Sequence, residues 1–241
     1  MREQRGIDIS VVVPVYNEEE NLPILIHQLM EVLEELRKPY EMIFVDDGSV
    51  DRSRNIIREM AAQYPQIRLL GFKKNCGETA ADTAGLKEAR GKVVITIDAD
   101  LQNDPKDIPR MVEYLKEYDM VTGWREKRDD PWVKRITSKI ANGIRNWVSG
   151  ETIHDSGCTF RAYKQECLQN LKLYKGMHRF MPTLVKMEGF RVIEIPIAHH
   201  PRKFGVSKYT TLNRMWRAFI DLLVVRWMKS RHIRYEIEER I

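Results

Sequence analysis

Apolar residues in this chain fall into short runs separated by stretches of helical periodicity, and the alternation repeats several times. Ile9 to Val15 (Ile-Ser-Val-Val-Val-Pro-Val), Met42 to Val45, Ile67 to Phe72 and Val93 to Ile97 are short and mostly apolar. Runs of that kind read as strands buried on both faces, as in a parallel sheet between helices. Between the first two, Asn21 to Leu36 carries apolar residues at positions 22, 25, 26, 29, 32, 33 and 36, one face of a helix. A second helix, from about Asp51 to Ala62, turns Ile56, Ile57 and Met60 inward, and Glu78 to Arg90 is an alanine-rich third. Pro105 to Glu117 predicts a fourth, with Asp104 as N-cap and Pro105 at the first helical position. Met120 to Thr122 then makes a fifth strand. Strand and helix alternating over short connections predict an α/β fold with a mostly parallel, doubly wound sheet and right-handed crossovers.

The pattern changes after Thr122. Gly123 to Asp130 reads as a charged loop, and Pro131 to Val148 as a basic amphipathic helix bearing Lys134, Arg135, Lys139 and Arg145. Thr152 to Arg161 reads as a loop and short strand, Gln165 to Leu171 and Arg179 to Met187 as short helices, and Arg191 to Ile197 as a last strand. The segment from His199 to Tyr209 is basic and holds glycine and proline, a loop expected to be mobile before its ligand binds. From Thr210 to Lys229, Leu212, Met215, Trp216, Phe219, Ile220, Leu223 and Trp227 share one helical face. That stripe suits either a last core helix or a helix lying in a membrane interface. A division of the helix is a third expectation, with one part docked and Leu222 to Met228 free.

The chain of 241 residues is 43% hydrophobic, enough for one large α/β domain with a real core or for two small ones. The pattern suggests a domain over residues 1–209, with halves of about 8–123 and 124–209, followed by an amphipathic segment over 210–241. A net charge of +5 and a pI near 9.0 point to an anionic partner: nucleotide phosphates, a membrane surface or nucleic acid. Cys76, Cys158 and Cys167 are odd in number and lack metal-ligand spacing, which suits a reducing, cytoplasmic compartment. Met1 to Asp8 is polar, so no signal peptide is expected, and no uncharged apolar stretch approaches the roughly 20 residues of a membrane span.

Three of the expected strands end in polar residues: Asn17-Glu18, Asp46-Asp47 and Asp98-Ala99-Asp100. In a parallel sheet these ends share the carboxyl edge, where open α/β sheets bind ligands. Two carboxylates at the end of a buried strand are costly unless a cation or hydrogen bonds compensate them. Hard oxygen donors with room for diphosphate oxygens suit Mg²⁺ or Mn²⁺. Taken alone, Asp98-Ala99-Asp100 reads equally well as a solvated turn that caps a helix. No glycine-rich dinucleotide fingerprint follows the first strand and no Walker-type loop is present, so phosphate chemistry would rest on metal and side chains.

Pro14-Val15-Tyr16-Asn17-Glu18, Asp46-Asp47-Gly48-Ser49, Asn75-Cys76-Gly77 and Asp98-Ala99-Asp100-Leu101-Gln102, in this order and spacing, resemble the nucleotide-sugar domain of family 2 glycosyltransferases. Asp155-Ser156-Gly157 and His200-x-Arg202-x-x-Gly205-x-Ser207-Lys208-Tyr209 are similar to the branch that serves polyprenyl phosphates, dolichol-phosphate mannose synthases among them. The resemblance covers roughly residues 8 to 230. It implies a GT-A-type, Rossmann-like single domain and inverting, metal-dependent transfer of a hexose from a nucleotide-sugar donor of the GDP-mannose or UDP-glucose type to a polyprenyl phosphate. By that likeness Pro14, Tyr16, Asn17, Glu18 and Asp46 hold the nucleoside, with Ala99 beside them. Asp98, Asp100 and Gln102 surround Mg²⁺ or Mn²⁺, and Arg202 and Lys208 grip the donor diphosphate. Arg125, Lys134, Arg135 and Ser138 receive the acceptor phosphate; Asp100, Arg125 and Arg202 carry the catalytic burden. It further implies work at the cytoplasmic face of a membrane surface, with a small membrane subunit as a possible partner and no nucleic acid. Glu78 departs from the family pattern, where relatives carry a basic or amide residue, and the spans that follow the domain in many relatives are missing.

A lipid phosphate is already an oxyanion and needs no base. A sugar-hydroxyl acceptor, the alternative within this fold, would require a carboxylate base, for which Asp155 is the late candidate; a structural or sugar-contacting Asp155 is the other reading. Asp47 and Ser49 suit a turn with a helix cap. His154, His199 and His200 suit ordinary hydrogen bonding, and His178 stands between a surface and an acceptor-site role. A nucleotide- or nucleic-acid-binding module without catalysis is opposed by the strand-end carboxylates, which would repel a phosphate backbone.

Overall fold

The computed structural model describes residues 6–125, 154–155, 157–202, 211–233 and 239, with side chains of the last helix described from residue 219 onward. Seven strands, β1 (Ile9–Val15), β2 (Tyr40–Asp46), β3 (Ile67–Gly71), β4 (Val93–Thr96), β5 (Met120–Arg125), β6 (Arg161–Lys164) and β7 (Val192–Ile197), form one sheet in the order β3-β2-β1-β4-β6-β5-β7. The helices are α1 (Leu22–Glu35), α2 (Ser53–Gln63), α3 (Glu78–Glu88), α4 (Ile108–Tyr114), α5 (Met181–Met187) and α6 (Thr211–Arg231). Short 3₁₀ turns stand at Pro105–Asp107, Gln165–Leu168 and Met177–Phe180.

The parallel, doubly wound half is as the pattern predicts: β1 pairs in parallel with β2 and β4, and β2 with β3. The chain reverses its direction of winding between β1 and β4, the crevice where such sheets take ligands. The sheet departs from parallel at β6, which is antiparallel to both β4 and β5. Strand β5 runs on through Gly123, Trp124 and Arg125, expected as loop, because all three pair in register with β7. The helix expected from Pro105 to Glu117 is divided: Asp104 caps a 3₁₀ turn by accepting from the Lys106 N–H at 3.0 Å, and α4 starts at Ile108 with Pro109 inside its first turn.

Core packs on both faces. Leu22, Leu25, Ile26 and Leu29 of α1 and Ile57 of α2 join Val11, Val13 and Phe44 on one face. On the other, Ala81 of α3 packs with Val12, Ile43 and Val45. Leu222 and Val225 of α6 are buried against Met177, Phe180 and Leu184. The stripe of Phe219, Ile220, Leu223, Val224 and Trp227 stays exposed. The helix is therefore divided by face, and Leu222 and Val225 are docked rather than free. No helix among the described residues is long and apolar enough to cross a membrane. The helix expected at 131–148, with Lys134, Arg135 and Ser138, lies outside the described residues, as do Lys208 and the side chain of Trp216.

Candidate active site at the carboxyl edge of the sheet

The ends of β1 and β2 are bolted together. Asn17, at φ 54°, donates its N–H to Ser49 Oγ at 3.0 Å and accepts from the Val50 N–H at 2.8 Å through Oδ1. The Glu18 N–H donates to Ser53 Oγ at 2.8 Å, and the Glu18 carboxylate accepts from Asn21 Nδ2 at 2.6 Å. Gly48, at φ 73°, passes so close to Lys74 that a Cβ would lie 2.5 Å from its carbonyl carbon. Asp47 accepts from the N–H groups of Cys76 and Gly77 at 2.6 and 2.8 Å and from Asn75 Nδ2 at 2.9 Å, so it fastens the 75–77 loop rather than capping its own turn as expected. Asp46 is fully buried; Arg54 Nε donates to it at 2.5 Å and the Ser49 N–H at 3.2 Å. Asn17 and Asp46, expected to hold nucleoside, thus already anchor loops. Pro14 and Tyr16 are half-buried at the end of β1.

Beyond β4, Asp98 accepts from Thr159 Oγ1 at 2.5 Å. Burial, then the charges of Glu78 and Asp100, push its carboxyl up to about 7, the mark of a carboxylate short of positive charge. Asp100 is buried, accepting from the Gln102 N–H at 3.1 Å on one oxygen and from Arg202 Nη2 at 2.7 Å on the other. Leu101, at φ 60°, makes the sharp bend that returns Gln102 to Asp100. Gln102 turns its amide nitrogen to the His200 carbonyl at 3.4 Å, and its own carbonyl accepts from the His200 N–H at 2.8 Å. The segment after β7 is so laid along the Asp98–Asn103 loop, which carries Arg202 to Asp100. Ala99 is buried in the same bend.

A divalent cation fits this donor set: two hard carboxylates on one turn, with the negative charge of Glu78 acting on Asp98 and one cationic partner, Arg202, on Asp100. Among the described residues no group of three His, Cys, Asp or Glu side chains could hold a metal alone, so other ligands would complete the shell.

Arg125 ends β5 in a bidentate pair with Asp155, Nε to Oδ2 at 2.6 Å and Nη2 to Oδ1 at 2.9 Å. Burial works against its charge, but the Asp155 carboxylate outweighs this and raises its pKa. His154 donates its N–H to Glu194 and packs its ring on Trp124, with centroids 5.5 Å apart.

Several site residues escaped the sequence reading. Arg54 and Thr159, partners of Asp46 and Asp98, stand in no motif. Asp82, expected only as part of a helix, is buried, and burial followed by Glu78 and Asp98 raises its carboxyl well above the usual range. His178 is not on the surface. It is buried, with Nδ1 2.6 Å from Thr79 Oγ1, Nε2 3.5 Å from Glu78, and its carbonyl accepting from Arg161 at 2.7 Å. Glu78 alone announced itself, by its departure from the family pattern.

Among curated proteins, the chain is 37% identical over 227 residues to a dodecaprenyl-phosphate galacturonate synthase of Rhizobium johnstonii, covering 92% of this chain and 67% of that one. It is 40% identical over 219 residues to an undecaprenyl-phosphate 4-deoxy-4-formamido-L-arabinose transferase of Pectobacterium carotovorum, covering 90% and 66%. The chain thus spans about two thirds of the length of these relatives. In fold it matches glucosyl-3-phosphoglycerate synthase of Mycobacterium tuberculosis, solved with Mn²⁺, UDP and glucosyl-3-phosphoglycerate, at a TM-score of 0.67 and 21% identity over 92% of this chain and 80% of that one. Residues 10–172 match the glycosyl transferase family 2 domain, which begins within β1 and holds every strand-end carboxylate described above. This chain belongs to glycosyl transferase family 2.

Proposed function

We propose that this protein transfers a sugar from a nucleotide diphosphate donor to a polyprenyl phosphate. The observation that carries the reading is the division of charge along one sheet edge. Asp98 and Asp100 stand beyond β4, suited to a cation, while Arg202 from the segment after β7 and Arg125 from β5 bring the positive charge that suits anions. Two relatives named for polyprenyl-phosphate products support the acceptor class. Mg²⁺ or Mn²⁺, held by Asp98 and Asp100 with Gln102 beside them, would neutralise charge building on the departing nucleoside diphosphate.

The chain's own residues do the rest. Arg202, now on Asp100, lies within reach of the diphosphate that a cation there would attract, with Lys208 beyond it in sequence. Pro14, Tyr16, Asn17, Glu18 and Asp46 line the nucleoside side. Arg125, with Lys134, Arg135 and Ser138, orients the lipid phosphate; arginine suits bidentate phosphate contact. A sugar-hydroxyl acceptor is the weaker reading, because Asp155, the residue that would serve as base, has both oxygens on Arg125. The donor is a nucleotide sugar of the GDP-mannose or UDP-glucose type. The exposed stripe of α6, with Arg226 and Lys229 nearby, suits the surface of the membrane that holds the acceptor's tail, on its cytoplasmic face.

Calorimetry tests the split between the two anion sites. Arg125→Ala is expected to weaken binding of a polyprenyl phosphate about tenfold or more while nucleoside diphosphate affinity holds. The reverse pattern would move Arg125 to the donor side.

A further inference from the structure

An arginine at the end of a strand rotates about four bonds unless something holds it, and two carboxylates in series hold Arg125. Asp155, buried, takes Nε and Nη2, which leaves Nη1 for an anion. The Gly157 N–H steadies Asp155 Oδ1 at 3.2 Å, and a Cβ at 157 would press to 3.3 Å from Arg125 Nη2. Asp155 is held in turn by Glu194 of β7. That carboxylate accepts from the N–H groups of His154 at 3.0 Å and Asp155 at 3.3 Å, and lies 3.0 Å from His154 Nδ1. Strands β5 and β7 pair in parallel, with Thr122 opposite Glu194 and Arg125 opposite Ile197. The contacts therefore close a ring: β7, the 154–155 peptide, Asp155, Arg125, and back through the ladder to β7. A ring anchored on paired strands keeps a guanidinium in one orientation, and such pre-organisation is what positions a reacting group.

We propose that Asp155 and Glu194 are positioning residues that aim Arg125 at the acceptor phosphate, and that Asp155 serves in that way rather than as a base. The inference rests on the reading of Arg125 as an acceptor-phosphate ligand. Its test is calorimetry on the full chain with farnesyl phosphate, and separately with UDP and GDP in the presence of Mn²⁺. Wild type, Asp155→Asn, Glu194→Ala, Arg125→Gln and the Asp155→Asn/Arg125→Gln double variant are compared, with thermal melts to show that each is folded.

Farnesyl phosphate affinity is expected to fall about tenfold in Asp155→Asn and severalfold in Glu194→Ala, with nucleoside diphosphate affinity kept within about twofold. The double variant is expected to bind no more weakly than Arg125→Gln, because a residue that acts through another adds nothing once the other is gone. Glu194→Ala leaves the Asp155–Arg125 pair in place and decides the matter if Asp155→Asn does not fold. Unchanged farnesyl phosphate binding in the folded single variants, or penalties that add in the double variant, would overturn the positioning role while the function reading stands. If wild type binds no farnesyl phosphate, or Arg125→Gln binds it normally, the reading of Arg125 itself fails, and the inference with it.

Discussion

At the scale of the residue, the site is a set of carboxylates in unequal circumstances. Asp46 and Asp47 have their charges met by Arg54 and by backbone N–H groups, and they fasten loops. Asp98 and Asp82 are short of positive charge. Asp100 is shared with Arg202. Asp100→Asn removes a charge and little volume, so transfer is expected to fall by two orders of magnitude or more with the melting temperature nearly unchanged. Rates near wild type in that variant would exclude a metal-assisted site. Asp82 makes a stability prediction of opposite character. Its folded pKa is raised, so the folded state binds a proton more readily than the unfolded chain. Stability from this group is whole below about 4, the unfolded value, and is lost as pH rises through the folded one. Asp82→Asn is therefore expected to raise the melting temperature at pH 8 by a few degrees and to leave it little changed near pH 4. Equal shifts at both pH values would show that ionisation of Asp82 is not what costs stability.

At the scale of the element, the strands of the first half were legible because burial on both faces leaves an unbroken apolar run. β1 was bounded from sequence as the structure has it, and β2, β3 and β4 to within two residues at either end. Carboxylates at those strand ends were legible for the same reason, since a parallel sheet carries its ends to one edge. Long-range partnership was not legible. Strand β6 owes its place between β4 and β5 to a return of the chain over many residues, and the pairing of Arg125 with Asp155 spans 30 positions. The sequence marked both residues and could not join them. Helix α6 is the sharpest case, because a single apolar stripe suited both core and membrane. The structure buries Leu222 and Val225 and leaves Phe219, Ile220, Leu223, Val224 and Trp227 exposed. Leu222→Ala is expected to cost about 2–5 kcal/mol, read by denaturant melts, as a buried truncation does. Trp227→Glu is expected to leave stability nearly unchanged and to abolish sedimentation with anionic liposomes at low salt. Wild type that ignores such liposomes would remove the membrane role from this helix.

At the scale of the whole molecule, the sheet brings the carboxylates and the arginines of the site to one edge. Its parallel half delivers Asp98 and Asp100 to the carboxyl edge, and the β5–β7 pair delivers Arg125 and Arg202 to the same edge from the other side. Winding direction changes between β1 and β4, and on the proposed function a nucleotide entering that crevice would point its diphosphate toward Asp98 and Asp100. A lipid phosphate at Arg125 would then stand across from the sugar. On the proposed function, one protein joins both ligands in one product. Mass spectrometry of the product from a panel of GDP- and UDP-sugars, incubated with a polyprenyl phosphate and Mn²⁺ or Mg²⁺, tests this most directly. The expected result is a polyprenyl-phosphate sugar from at least one donor, formed only with metal and lost in Asp100→Asn. A sugar product that carries no lipid phosphate, or the lipid product formed undiminished in excess chelator, would contradict it.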